Sequence, residues 1–156
     1  MINIQILSRK ALLNHRIDGS TAVIAFCDYD TDNESLAELQ CPTLALRVSD
    51  TITGTNAMQA TDAEAIKEFV ATVQGSIETL IISCSAGISR SSGVAAAVLK
   101  GHNSSDLHIW SDPRYSPNPL CYNAVLKAYG MNTAFTDNLV KINKKAIREK
   151  VWGSDF

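Results

Sequence analysis

The chain has 156 residues, with 14 Lys+Arg against 16 Asp+Glu and a formal net charge of -2. It is 46% hydrophobic and its mean hydropathy is +0.00. That balance excludes collagen-like, coiled-coil and disordered chains. It also argues against broad nucleic-acid or membrane-surface binding, while leaving room for one small anion site. At this length a single domain over residues 1–156 is expected, with a core that needs no disulfide or metal. No apolar run reaches the ~18–20 residues that span a bilayer. The N-terminal stretch lacks the basic start and long apolar block of a secretory signal, so a cytoplasmic location is expected. Cys27, Cys41, Cys84 and Cys121 show no CxxC spacing and have no neighbouring His pair. They are expected to be free thiols, with no metal and no cofactor.

Ile2–Leu7 reads as a first strand, and Ser8 as the cap of a short helix over Arg9–His15. Thr21–Phe26 (TAVIAF) is a continuous apolar run, as in a strand buried on both faces. Pro42 introduces a third strand, Thr43–Val48, which ends at Ser49-Asp50. Thr61 and Glu64 have the spacing of a capping box, followed by apolar residues at helical intervals up to Gly75. Thr79–Ser83 (TLIIS) is a fourth buried strand, and Gly93–Lys100 an apolar helix after it. Asp106–Trp110 reads as a short helix. Asn118 and Pro119 open another, which ends at Gly130. A last amphipathic helix is predicted over about residues 137–151, its basic face solvated. Buried strands alternating with helices predict an α/β domain around a mostly parallel sheet of four strands or slightly more. Ligands bind such sheets beyond the carboxyl ends of their strands, where Asp28, Asp50 and Cys84 all fall.

The segment Ser83-Cys84-Ser85-Ala86-Gly87-Ile88-Ser89-Arg90-Ser91-Ser92 carries the chemistry. A loop between a buried strand and a helix aims backbone N–H groups into one concavity, and the helix dipole adds positive potential. That suits a tetrahedral dianion. Gly87 allows a tight curl without a Cβ. Arg90 offers a planar fork to two phosphate oxygens. The same field lowers the pKa of a thiol at Cys84, making a thiolate nucleophile aimed at phosphorus. Ser91 is placed to hydrogen-bond that sulfur and help it leave.

Cys84, five residues, then Arg90 and Ser91, with Gly87 between, resembles the signature of the cysteine-dependent protein tyrosine phosphatase superfamily. The short chain is similar to its small dual-specificity-like members of bacterial and phage type, over about Ile2 to Gly130. The resemblance implies a four-stranded parallel sheet flanked by helices, Cys84 as nucleophile, Arg90 binding the phosphoryl group, and the amides of Ser85, Ala86, Gly87, Ile88, Ser89 and Arg90 as the cradle. One departure is visible: Ser83 stands where most of the superfamily has His before the cysteine. The resemblance also implies a general acid after the third strand, in Leu44-Ala-Leu-Arg-Val-Ser-Asp50. Asp50 is that candidate and Asp28, after the second strand, the alternative. Asp62 is read as a helix first-turn carboxylate. Some phosphatases of this class protect an oxidised nucleophile with a second cysteine, and Cys27 is the candidate for Cys84.

Trp110, Tyr115 and Tyr122 are candidates for a pocket wall, with core the commoner use of aromatics. His15, His102 and His108 have no ligand spacing. The expected function is hydrolysis of a phosphate monoester, phosphotyrosine first among substrates, through a cysteinyl-phosphate. The expected partner is a phosphorylated substrate, not nucleic acid or membrane. A rhodanese-like sulfurtransferase is the enzymatic rival, although five residues between Cys and Arg favour the phosphatase. A non-catalytic phosphate-binding module is the other.

Overall fold

The computed structural model describes residues 2–28 and 34–153. In chain order it runs β1 (Asn3–Ser8), α1 (Arg9–Leu13), β2 (Thr21–Cys27), a 3-10 turn (Glu34–Glu38), β3 (Thr43–Arg47), α2 (Ala60–Val73), β4 (Thr79–Cys84), α3 (Arg90–Gly101), α4 (Leu107–Trp110), α5 (Pro119–Ala128) and α6 (Thr136–Trp152). The four strands form one sheet in the order β1-β4-β2-β3, and every pairing is parallel. The two strands with unbroken apolar runs, β2 and β4, are the central pair. The edge strands β1 and β3 are only partly buried. Apolarity on both faces therefore marks a strand with neighbours on both sides and helices above and below.

Strand alternation divides the core in two. Ile24, Phe26, Leu80, Ile82 and Cys84 face the layer made by α2, α3 and α5, where Ala63, Ile66, Val94, Tyr122 and Val125 are buried. Val23, Ala25, Cys27 and Ile81 face the opposite side, against Leu12 of α1 and Leu36 of the 3-10 turn. Cys27 and Cys84 thus lie on opposite faces of the sheet. That arrangement overturns Cys27 as a disulfide partner for Cys84.

Local capping follows the sequence at two helices. Ser8 Oγ accepts from the Ala11 amide, and Asn118 Oδ1 accepts from the Cys121 amide with Pro119 as the first residue of α5. At α2 the box sits two residues earlier than Thr61 and Glu64 predict. Gln59 is the cap and its amide donates to Asp62 Oδ2 at 2.8 Å. Asp62 does spend its carboxylate on the first turn. The helix after β4 begins at Arg90, three residues before the predicted Gly93, so the guanidinium is carried by a helical residue.

Trp110 and Tyr122 are buried and meet edge to face at 5.0 Å between ring centroids. The Tyr122 hydroxyl donates to the buried Asp106 at 2.6 Å. Both aromatics are core, not pocket wall. The polar Asn143 of α6 donates to the carbonyls of Trp110 and Tyr115, clamping the proline-rich loop onto the domain.

Candidate active site

The loop from Cys84 to Arg90 leaves the carboxyl end of the central strand β4 and enters α3. Three of its carbonyls accept from donors outside it. Ser85 O accepts from the Arg9 amide at 3.3 Å and Ile88 O from the Ser116 amide at 3.1 Å. Ser89 O accepts from the Gly93 and Asn118 amides, both at 3.0 Å. With the oxygens bound outward, the N–H groups are left for the concave side. Gly87 makes the curl possible. Its φ is +68, and a Cβ there would lie 2.6 Å from the Ser8 nitrogen. Only glycine meets both the left-handed torsion and the close approach of β1.

Cys84 sits at the base of this loop, buried. Its Sγ lies 3.1 Å from Ser91 Oγ. Burial by itself pushes the thiol pKa up. Hydrogen bonds from the Ser91 hydroxyl and from the amides of Ser91, Ile88 and Gly87 outweigh it, and the net shift is downward from the ordinary 9.0. The site therefore favours a thiolate. Cys121 is buried nearby in the same core layer and is driven the other way, to about 12, by burial and then by the Asp50 charge. The two buried thiols are thus pushed in opposite directions, Cys84 by the N–H and O–H donors around it and Cys121 by burial.

Arg90 is almost fully buried. Nη1 donates to Asp28 Oδ1 at 2.7 Å and to the Val48 carbonyl at 2.8 Å, and Nη2 to Ser85 Oγ at 3.3 Å. Nε is buried with no partner among the described residues. An unpaired buried guanidinium N–H is costly, on the order of 1–3 kcal/mol, unless an acceptor arrives. A phosphate oxygen is such an acceptor.

The two carboxylates considered at the sheet edge are both at the loop, in different positions. Asp28 holds Arg90 through Oδ1 and takes the Ser85 hydroxyl on Oδ2 at 2.7 Å. The Ser85 hydrogen bond, with Arg90 and Arg9 adding to it against a burial penalty, holds this carboxyl below its ordinary range. Asp50 lies in the loop after β3, where Oδ1 accepts from Ser89 Oγ at 2.9 Å and from Asn118 Nδ2 at 3.0 Å. Sequence reasoning read Asn118 as a helix cap alone. The reach of its amide to a carboxylate 68 positions away has no local signal.

Ser83 Oγ is buried without a hydrogen-bond partner among the described residues. It follows Ile81 by two residues on β4 and so shares the sheet face of α1, away from Cys84. Among the described residues no cluster of three or more His, Cys, Asp or Glu is placed to hold a metal. No helix of the described chain is long and apolar enough to cross a membrane. A groove of about 770 Å³ runs along the free edge of β1, lined by residues such as Ile4, Ile6, His108 and Tyr115. It includes none of the loop residues.

Neither a family model nor a curated protein matches the sequence. Solved structures do match. The crystal structure of PTPMT1 in complex with PI(5)P superposes with a TM-score of 0.56 at 14% identity, covering 82% of this chain and 90% of that one. A second crystal structure of PTPMT1 gives 0.55 at 15% identity, covering 94% and 95%. OH1 from the Orf virus, described as a tyrosine phosphatase of triple substrate specificity, gives 0.44 at 18% identity, covering 95% and 82%. The four-stranded parallel sheet, its helical layers and the agreement with PTPMT1 over most of both chains establish that this chain has the fold of the cysteine-dependent tyrosine and dual-specificity phosphatases.

Proposed function

We propose that the protein is a phosphate-monoester hydrolase, acting on phosphotyrosine in proteins, with Cys84 as nucleophile. The observation that carries the reading is the pairing of a thiol shifted toward thiolate with a buried Arg90 Nε that lacks an acceptor, in one amide-lined loop.

The dianion binds the loop amides of Ser85 to Arg90 and the free edge of the Arg90 guanidinium. Cys84 Sγ attacks phosphorus in line. The S–P bond forms as the ester P–O bond breaks, and a proton from Asp50 goes to the leaving oxygen. Arg90 and the amides hold the equatorial oxygens through the transition state. Water then gives a proton to Asp50 and attacks phosphorus. The S–P bond breaks, and the Ser91 hydroxyl stabilises the departing thiolate. Asp50 takes the acid role because Asp28 is committed to Arg90 and Ser85 and is held ionised. The loop and Arg90 supply the positive charge, so no metal enters the scheme.

The test is release of p-nitrophenol from p-nitrophenyl phosphate, followed by phosphotyrosine, phosphothreonine and phosphoinositide substrates. Turnover that Cys84→Ser abolishes, with vanadate-type anions still bound, supports the reading. Anion binding without turnover in the wild type indicates a binding module. Thiocyanate formation from thiosulfate and cyanide, without ester hydrolysis, indicates a sulfurtransferase.

A further inference from the structure

Asn118 does more than cap α5. Its side chain is buried, with Oδ1 accepting from the Cys121 amide at 3.0 Å. Nδ2 donates to Asp50 Oδ1 at 3.0 Å and to the Thr51 carbonyl at 3.1 Å. Its main-chain amide donates to Ser89 O at 3.0 Å, in the anion loop itself. A Cβ on Gly93 would lie 2.7 Å from the Asn118 carbonyl, so a glycine in α3 is what lets this residue come so close. One residue therefore joins the Asp50 loop, the anion loop and α5.

We propose that Asn118, with the Ser89 hydroxyl, is the positioning residue that sets which oxygen of Asp50 carries the proton. This rests on the reading of Asp50 as general acid. Both of these donors fall on Oδ1, and Oδ2 has no hydrogen bond among the described residues. A carboxyl that accepts two donors on one oxygen keeps its proton on the other. Oδ2 is then the oxygen that protonates the leaving group. The Thr51 bond fixes the Asn118 amide so that Nδ2, not Oδ1, faces the carboxylate. As the proton departs, charge builds on Asp50, and both hydrogen bonds strengthen. Interactions that strengthen toward the transition state raise the rate of the protonated step rather than substrate affinity.

The readout is leaving-group dependence of kcat/KM, which follows the chemistry through ester cleavage. Phenyl phosphate needs a proton on its leaving oxygen, whereas 2,4-dinitrophenyl phosphate does not. Asn118→Ser keeps a good cap residue for α5 and removes the donor to Asp50. It is expected to lower kcat/KM for the phenyl ester by about tenfold or more, and for the dinitrophenyl ester by less than about threefold, following Asp50→Asn in direction. Ser89→Ala removes the second donor from a partly exposed position and is expected to act in the same sense. It carries the test should Asn118→Ser fail to fold. Equal losses for both esters in the folded variants, or no loss, would overturn the positioning role. Wild-type turnover with a flat leaving-group response in Asp50→Asn would instead overturn Asp50 as acid. No turnover of either ester by the wild type would remove the phosphatase reading altogether.

Discussion

Asp28 and Arg90 form a short ion pair, 2.7 Å between Oδ1 and Nη1, across the carboxyl ends of β2 and β4. The Val48 carbonyl and Ser85 hydroxyl complete the hold on the guanidinium. Arg90 is thus oriented before any ligand arrives, with Nε left for it. Preorganised charge of this kind would spare the cost of reorganisation if an anion binds as proposed.

Asp28→Asn is expected to lower kcat/KM by about tenfold or more by loosening Arg90. The ion pair also has a pH signature. The folded-state pKa of Asp28 is depressed below 3.8, so its contribution to stability is full above that value and is lost as pH falls through the lower, folded value. The difference in Tm between wild type and Asp28→Asn is therefore expected near neutrality and should vanish in strong acid. A constant difference across that range would contradict the assignment.

Gly87→Ala meets two obstacles. The φ of +68 costs an L-residue about 1–2 kcal/mol. The new Cβ would press on the β1 backbone, with overpacking adding roughly 1–3 kcal/mol. Relief by opening the loop would misplace the amides, so anion affinity should fall together with Tm. Phosphate titration by calorimetry, alongside thermal unfolding, checks both. An unchanged phosphate affinity would show that the loop does not depend on this curl.

Cys27 faces Leu12 and Ile81, while Cys84 faces the α3 layer. Peroxide treatment followed by non-reducing peptide mapping should yield no Cys27–Cys84 linked peptide. Cys27→Ser should leave the rate of oxidative inactivation within about twofold of wild type, because Cys27 and Cys84 lie on opposite faces of the sheet. A Cys27–Cys84 peptide would mean that the loop rearranges on oxidation.

Ser83 presents a buried hydroxyl with nothing to bond among the described residues, an arrangement that costs about 1–3 kcal/mol. Ser83→Ala is expected to match or exceed the wild-type Tm and to leave the pH dependence of turnover unchanged, since the side chain lies on the sheet face away from Cys84. A shift in the thiol titration would show that position 83 reaches the nucleophile.

Much of this architecture is legible in residue order. TAVIAF and TLIIS identify the central strands because only a strand flanked on both sides can bury every side chain. Asn118-Pro119 and Ser8 mark helix starts because capping is local. Cys84, Gly87, Arg90 and Ser91 could be singled out because they fall within one short stretch of sequence. The links that give the site its order are not readable. Arg90 to Asp28 spans 62 positions and Asn118 to Asp50 spans 68, and neither depends on a neighbour in sequence. Strand alternation separates Cys27 from Cys84 although both end adjacent strands, and only the sheet register decides that face. The start of α3 at Arg90 rather than Gly93 has a local cause. The Ser89 carbonyl accepts from the Gly93 amide, which extends the helix back into polar sequence.

The proposed chemistry turns on the ionisation of the Cys84 sulfur. The most direct measurement is the pH dependence of iodoacetamide alkylation at Cys84, followed by peptide mass spectrometry with and without inorganic phosphate. The half-maximal rate should fall below pH 9.0, Cys121 should remain unmodified at neutral pH, and phosphate should protect Cys84. A midpoint at or above pH 9.0, or no protection by phosphate, would contradict it.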